Sequence, residues 1–271
     1  MSRRVIIQPV TRIEGHAKIS IQLDDAGQVQ SARFHITEFR GFEKLCEGRP
    51  FQEMPGLMSR VCGICPVSHV LASSKAGDML LGVEIPAAAE KQRRLVNYAQ
   101  VLQSHALSFF HLSSPDLLLG MDSAPDLLLG MDSAPDQRNI FGLLDRDPDF
   151  LRRGIRLRQF GQRVIELVSG KKIHPGWSGP GGVHRQFTTA QRDEVLTWIP
   201  ESLESVSIAL GRLKGLLDSF RAEVEHMGNF PSLFLATVNA DGGLEYYDGT
   251  IRIVDGAGNT IADSLDPRRY Y

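Results

Sequence analysis

The run Leu203-Glu204-Ser205-Val206-Ser207-Ile208-Ala209-Leu210-Gly211-Arg212-Leu213-Lys214-Gly215-Leu216-Leu217 continues through Phe220 to Val224. Leu203, Val206, Leu210, Leu213, Leu217, Phe220 and Val224 follow one another at alternating steps of three and four. A helix turns once in about 3.6 residues, so these side chains share one stripe. The stretch therefore predicts a long helix packed through its stripe against a neighbouring helix of the same core, the alternative being a surface for a partner helix. Thr188 and Gln191 have capping-box spacing and mark a helix start upstream.

Three further helices are predicted towards the N-terminus. Cys65–Leu81 carries small and apolar residues at helical spacing. Pro86 opens Ala87–Leu112, which has no internal Gly or Pro, and Asp149–Val168 closes on Ser169-Gly170. The first forty residues read differently. Lys18–Leu23 alternates polar and apolar side chains, Asp24-Asp25-Ala26-Gly27 is a turn, and Val29–Ile36 alternates again, which predicts an antiparallel hairpin. Strand-like runs return after Pro231, punctuated by Asp241-Gly242-Gly243 and Asp255-Gly256. The expected fold class is mainly α: long packed helices, a small N-terminal antiparallel β element and short β segments near the C-terminus. The expected organisation is a β element over 1–40, a helical core over 55–230 and short strands over 231–265, all within one domain.

Composition narrows the function. The 271 residues are 42% hydrophobic and 23% charged, which excludes a disordered or collagen-like chain. Lys and Arg number 30 against 32 Asp and Glu, so no broad electrostatic case exists for nucleic acid or anionic lipid. No window of about 18 apolar residues predicts a membrane span, and Arg3-Arg4 runs straight into alternating sequence rather than an export signal. The three cysteines, Cys46, Cys62 and Cys65, do not form a secreted disulfide framework. They are expected as thiols or metal ligands in a reducing, cytoplasmic compartment. One feature is irregular: Pro115–Ala124 recurs without change as Pro125–Ala134. Such an insertion, about 15 Å long if helical, is best accommodated as a bulged loop.

Chemistry concentrates in Arg60-Val61-Cys62-Gly63-Ile64-Cys65-Pro66-Val67-Ser68-His69. A C-x-x-C pair can set two sulfurs on one metal, with Gly63 easing the turn, and His69 follows Cys65 by one helical turn, within reach of a thiolate. A thiol redox pair and a purely structural pair remain open. Glu14, in Thr11-Arg12-Ile13-Glu14-Gly15-His16, is either a proton carrier or a solvated hairpin carboxylate. Glu43, in Phe39-Arg40-Gly41-Phe42-Glu43-Lys44, is either a ligand for a hard cation or half of a surface ion pair. Gly170–Gly182 lacks the spacing of a phosphate-binding loop and reads as an irregular loop, with His174 packed or hydrogen-bonded.

Arg12-Ile13-Glu14-Gly15-His16, Arg40-Gly41-Phe42-Glu43 and the Arg60–His69 motif, in this order, resemble the large subunit of nickel–iron hydrogenases. Gln103-Ser104-His105-Ala106-Leu107, Pro115–Gly120 and His174-Pro175 support the likeness, and Phe230–Asp263 resembles the cytoplasmic, NAD-linked branch. The resemblance implies reversible oxidation of H2 at a nickel–iron centre carrying carbon monoxide and cyanide. It implies Cys62 as a terminal nickel ligand, Cys65 as a bridging ligand, His69 hydrogen-bonded to the bridging sulfur and Glu14 as proton relay. It also implies Glu43 as a ligand of Mg2+. The implied partners are an iron–sulfur small subunit, NAD-reducing diaphorase subunits and maturation chaperones. The family's second cysteine pair has no counterpart in this sequence, so these 271 residues alone are expected to be inactive, as the N-terminal part of such a subunit. The alternative is a non-catalytic fragment or a scaffold related to the large subunit of respiratory NADH dehydrogenases, against which Cys62, Cys65 and Glu14 speak.

Overall fold

Local sequence signals fix most of the element boundaries. A computed structural model of the chain describes residues 3–119, 139–218, 220–226 and 228–267. In chain order its elements are β1 (Arg3–Ile7), β2 (Ala17–Leu23), β3 (Val29–Ile36), α1 (Phe42–Cys46), α2 (Met54–Met58), α3 (Pro66–Leu81) and α4 (Ala87–Ala106). A π-helical segment (Leu107–Ser113), α5 (Ser114–Leu119), α6 (Ile140–Arg146), α7 (Pro148–Ser169), β4 (Ser178–Gly179) and β5 (Gly182–Val183) follow. The chain continues with α8 (Thr189–Leu217), α9 (Arg221–His226), β6 (Phe234–Val238), β7 (Thr250–Val254) and β8 (Thr260–Leu265). Of the duplicated segment, Pro115–Leu119 lies in α5, and the remainder up to Ala134 lies outside the described residues. Two compact units form, Met1–Phe51 with Ala106–Leu151, and Gln52–His105 with Arg152–Tyr271.

The first unit is built on an antiparallel sheet of order β1-β2-β3, with Arg3 opposite Leu23 and Ala17 opposite Ile36. The expected hairpin is its β2–β3 pair. Asp24 closes the turn by accepting, at Oδ1, the backbone N–H groups of Ala26 and Gln28, and Gly27 takes a φ of 79° that favours glycine. Arg12 Nε donates to Asp116 Oδ2 across 3.0 Å and ties the loop after β1 to α5. Phe110 and Phe150 pack ring to ring at 4.8 Å. The helix predicted through Leu112 stays α-helical to Ala106 and then widens. The hydroxyls of Ser113 and Ser114 donate to the carbonyls of Ser108 and Phe109, five residues back, and Pro115 has no N–H to continue the tighter ladder.

The second unit holds the main core. Val67, Val70 and Leu71 from α3, Val96 and Ala99 from α4, and Phe160, Val164, Ile165 and Val168 from α7 close around Trp177. The helices α4 and α7 approach backbone to backbone, because a Cβ on Gly161 would lie 2.6 Å from the Ala99 carbonyl oxygen. The glycine-rich loop, read from sequence as irregular, folds back as the β4–β5 pair around a buried ion pair. Arg93 donates to Asp78, to the Gly179 carbonyl at 2.7 Å and to the Gly182 carbonyl at 3.0 Å, while Asp78 accepts the Gly181 N–H. Burial opposes the charge on Arg93, but the Asp78 and Tyr247 bonds outweigh it and raise its pKa. The sheet β6-β7-β8 is anchored by the segment before β7. There the Tyr247 ring meets two cations, with Lys75 Nζ 4.4 Å and the Arg94 guanidinium 4.6 Å from its centroid.

The capping box forms as expected: Thr188 accepts the Gln191 N–H, and Gln191 accepts the Thr188 N–H. The leucine stripe behaves otherwise. The helix α8 ends at Leu217 and α9 is separate. Leu203, Val206, Leu210 and Leu217 are exposed, while Ser205 and Ala209 are the buried side chains of α8. Phe220, beyond α8, is buried, and the side chain of Val224 lies outside the described residues. The expected stripe-to-core packing is thus corrected, and the cause is the face that α7 presents. Its Arg153, Arg156 and Arg163 pair with Glu204, Glu201 and Glu194 of α8, and Phe160 stacks on Trp198 at 5.8 Å. Those contacts turn the stripe away from α7. No helix among the described residues is long and apolar enough to cross a membrane.

Candidate metal centre

The sequence around Cys62 and Cys65 folds as the entry to α3. Pro66 occupies the first helical turn, where its fixed φ and missing N–H fit, and Cys65 is the residue that caps it. The Cys65 N–H donates to Cys62 Sγ at 3.1 Å, so one sulfur sits on an amide at the helix N-terminus, where negative charge is favoured. His69 is one turn into α3, and its Nε2 lies 3.6 Å from Cys65 Sγ. The three ligand atoms, Cys62 Sγ, Cys65 Sγ and His69 Nε2, all lie within 4.8 Å of one another, and their residues are half-buried. Gly63 has no left-handed φ, and a Cβ there would meet nothing within 4 Å, so the turn does not demand glycine as its sequence position suggested.

Cys62 and Cys65 are joined as a disulfide, with Cα atoms 5.4 Å apart, where the sequence reading expected thiols or metal ligands. The physical reason is proximity: the same turn that lets two sulfurs pair presents two thiolates to one cation once they are reduced. Two soft thiolates suit nickel and low-spin iron, and the donor set therefore fits such a centre. Cys46, which the sequence reading did not make a ligand, is a free thiol in α1.

Two amide side chains of α4 support the motif from behind. Gln100 Nε2 donates to the Ile64 carbonyl at 2.8 Å, and Gln103 Nε2 donates to the same oxygen at 3.4 Å. Gln103 falls in a stretch that the sequence singles out, whereas Gln100 does not; the signal for Gln100 is its i, i+3 spacing to Gln103 on α4. His174 Nδ1 lies 2.7 Å from the Ser59 carbonyl, in keeping with a hydrogen-bonded role. Glu14 and Glu43 belong to the first unit. Both are exposed, and neither makes a side-chain hydrogen bond or ion pair among the described residues. Glu43 stands in the first turn of α1. His16, two residues after Glu14, contacts Glu38. The structure thus gathers Cys62, Cys65 and His69, and describes Glu14 and Glu43 within the other unit.

Comparison with known proteins sets this geometry beside known hydrogenases. Residues 40–122 match the family described as nickel-dependent hydrogenase, and residues 4–39 match one described as HoxL-like. Along its length the chain is similar to nickel-dependent hydrogenases. It is similar in particular to an NAD-reducing member, the HoxS subunit beta of Cupriavidus necator, with 42% identity over 94% of this chain and 53% of the relative. A second relative, from the F420-non-reducing vhu hydrogenase of Methanocaldococcus jannaschii, is 38% identical over 98% of the chain and 61% of its own length. A crystal structure of an NAD+-reducing [NiFe]-hydrogenase in the H2-reduced state superposes with a TM-score of 0.91 at 45% identity, covering 99% of this chain and 57% of that one. The chain spans between half and two thirds of the length of these relatives.

Proposed function

We propose that the protein containing this chain is the catalytic subunit of a nickel–iron hydrogenase that reversibly oxidises H2 to two protons and two electrons. The electrons pass to a partner that carries iron–sulfur clusters and, through diaphorase subunits, to NAD. The observation that carries this reading is the convergence of Cys62 Sγ, Cys65 Sγ and His69 Nε2 within 4.8 Å at the start of α3. When bound, a nickel–iron centre with carbon monoxide and cyanide ligands supplies the redox pair at which H2 is cleaved. This chain's residues hold and tune it. Cys62 and Cys65, reduced, are two of its thiolate ligands, and the Cys65 N–H donated to Cys62 Sγ orients that sulfur. His69 holds its imidazole against Cys65 Sγ and tempers the charge there. Glu14, exposed in the first unit, accepts the released proton at its carboxylate and passes it to water, and Glu43 offers a hard oxygen ligand to Mg2+. Two thiolates are a partial set for such a centre, so the 271 residues taken alone are inactive. The protein works in the cytoplasm and is loaded by maturation chaperones.

The test is metal analysis and infrared spectroscopy of the whole protein purified anaerobically, with its Cys62→Ser and Cys65→Ser variants. Natural protein is expected to hold nickel and iron in equal amounts with carbonyl and cyanide bands, and each variant to lose both the nickel and H2-dependent NAD reduction. Full nickel occupancy and activity in both variants would overturn the assignment.

A further inference from the structure

Two buried glutamines of α4 converge on the backbone between the cysteines. Gln100 and Gln103 are 3% and 5% exposed. Both direct Nε2 at the carbonyl oxygen of Ile64, which sits between Gly63 and Cys65, at 2.8 and 3.4 Å. They also bond each other, Gln103 Nε2 donating to Gln100 Oε1 at 3.1 Å. A fully buried amide is a poor choice for packing unless every polar atom finds a partner. Gln103 fails that condition, since its Oε1 has no hydrogen-bond partner among the described residues. Methionine or leucine would fill the same space without an orphaned acceptor. The use of Gln at 103 therefore lies in what Nε2 holds.

The glutamine pair is also braced. Gly161 of α7 comes so close to α4 that a Cβ on it would lie 2.7 Å from Gln103 Cβ and 3.0 Å from Gln103 N. The base of Gln103 is thus packed against α7, and its bond to Gln100 orients that amide as well. The path is continuous: Gly161 backs Gln103, Gln103 orients Gln100, and both hold the carbonyl whose neighbours carry the two sulfurs.

We propose that Gln100 and Gln103 form an amide clamp on the Ile64 carbonyl that fixes the separation and direction of Cys62 Sγ and Cys65 Sγ, making them positioning residues of the site. The proposal rests on reading Cys62 and Cys65 as the functional thiolates. Without the clamp the loop from Cys62 to Cys65 samples more conformations, and the two sulfurs spend less time within reach of each other or of one cation. Distal support of this kind is worth about 10- to 100-fold in ligand-set affinity where it has been measured in other metal sites.

The test reads the sulfur pair without any metal. Natural protein, with the subunits that copurify, is produced in nickel-depleted medium and treated with chelator. It is equilibrated in glutathione redox buffers, and the fraction of Cys62–Cys65 disulfide is read by differential alkylation and peptide mass spectrometry. Gln100→Met and the double variant Gln100→Met/Gln103→Met are expected to lower the dithiol–disulfide equilibrium constant about tenfold, a rise in reduction potential of about 30 mV. Gln103→Met, which loses the longer bond, should shift less and should not lower the thermal midpoint, because it also removes the orphaned acceptor. Circular dichroism selects the variants that fold, and Gln100→Glu, of equal shape with an acceptor in place of the donor, is the second variant at position 100. Constants within twofold of the natural protein for the folded position-100 variants would overturn the clamp. Because no nickel is present, that failure is separate from failure of the hydrogenase reading, which would show as natural protein without nickel.

Discussion

Arg93 Nη1 stands 2.6 Å from Asp78 Oδ2, and the arginine has no exposed surface at all. This ion pair joins α3 to α4 and, through the carbonyls of Gly179 and Gly182, holds the β4–β5 loop against both. A buried pair contributes little net stability compared with a well-packed apolar pair, but stranding one member is costly. Asp78→Ala leaves Arg93 charged and without its carboxylate. The expected loss is about 3–5 kcal/mol, measured by urea unfolding. The double variant Asp78→Leu/Arg93→Met should recover a large part of it, and a double variant no better than the single would show that the loop bonds, not the stranded charge, set the loss.

Gly161 provides a sharper steric prediction. A Cβ there meets the Ala99 carbonyl oxygen at 2.6 Å, and backbone atoms cannot rotate aside as a side chain can. Gly161→Ala should therefore destabilise the protein by about 1–3 kcal/mol, although alanine is the better helix former by about 1 kcal/mol. Chemical denaturation decides the sign: a stabilised variant would mean that α4 and α7 stand further apart.

What was legible in the sequence was local. Thr188 and Gln191 announce α8 because a capping box is closed by residues three apart. His69 reaches Cys65 for a similar reason, one turn along α3. The stripe from Leu203 to Leu217 identified the helix but not the side that it turns inward. A period says which residues share a face, whereas the choice of face fell to Ser205, Ala209 and the arginines of α7. Gln100 and Gln103 stand 36 and 39 residues from Ile64, and no spacing rule joins an amide on one helix to a carbonyl in another loop. The π-helical widening after Ala106 was hidden because Ala87–Leu112 contains no helix breaker, and the hydroxyls that accompany it lie just beyond, at Ser113 and Ser114.

The exposed stripe makes its own prediction. Leu203 and Leu210 are 63% and 50% exposed, so truncating them removes few contacts. Leu203→Ala and Leu210→Ala in the 271-residue chain should each change unfolding free energy by no more than about 0.5 kcal/mol. Ile165→Ala, at a fully buried position of α7, should cost about 2–5 kcal/mol in the same assay. A loss at Leu203 or Leu210 as large as that at Ile165 would mean that the stripe is covered in solution.

Glu245 carries a pH prediction whose sign follows from its partners. It accepts the Tyr247 N–H at 2.7 Å and the Arg94 guanidinium at 2.9 Å. The Tyr247 bond first, and then the charge of Arg94, outweigh its desolvation and hold its pKa below the ordinary value of 4.5. The folded protein thus binds this proton less readily than the unfolded chain. The stabilisation is complete above the unfolded carboxylate pKa and disappears as pH falls through the lower, folded value. Glu245→Gln keeps an acceptor for Tyr247 but loses the charge, which should cost about 1 kcal/mol at pH 7. The gap between natural protein and variant should hold constant from pH 7 to about pH 5 and close below it, as measured by unfolding at each pH. A gap that widens on acidification would require Glu245 to gain a proton more easily when folded, which its two donors forbid.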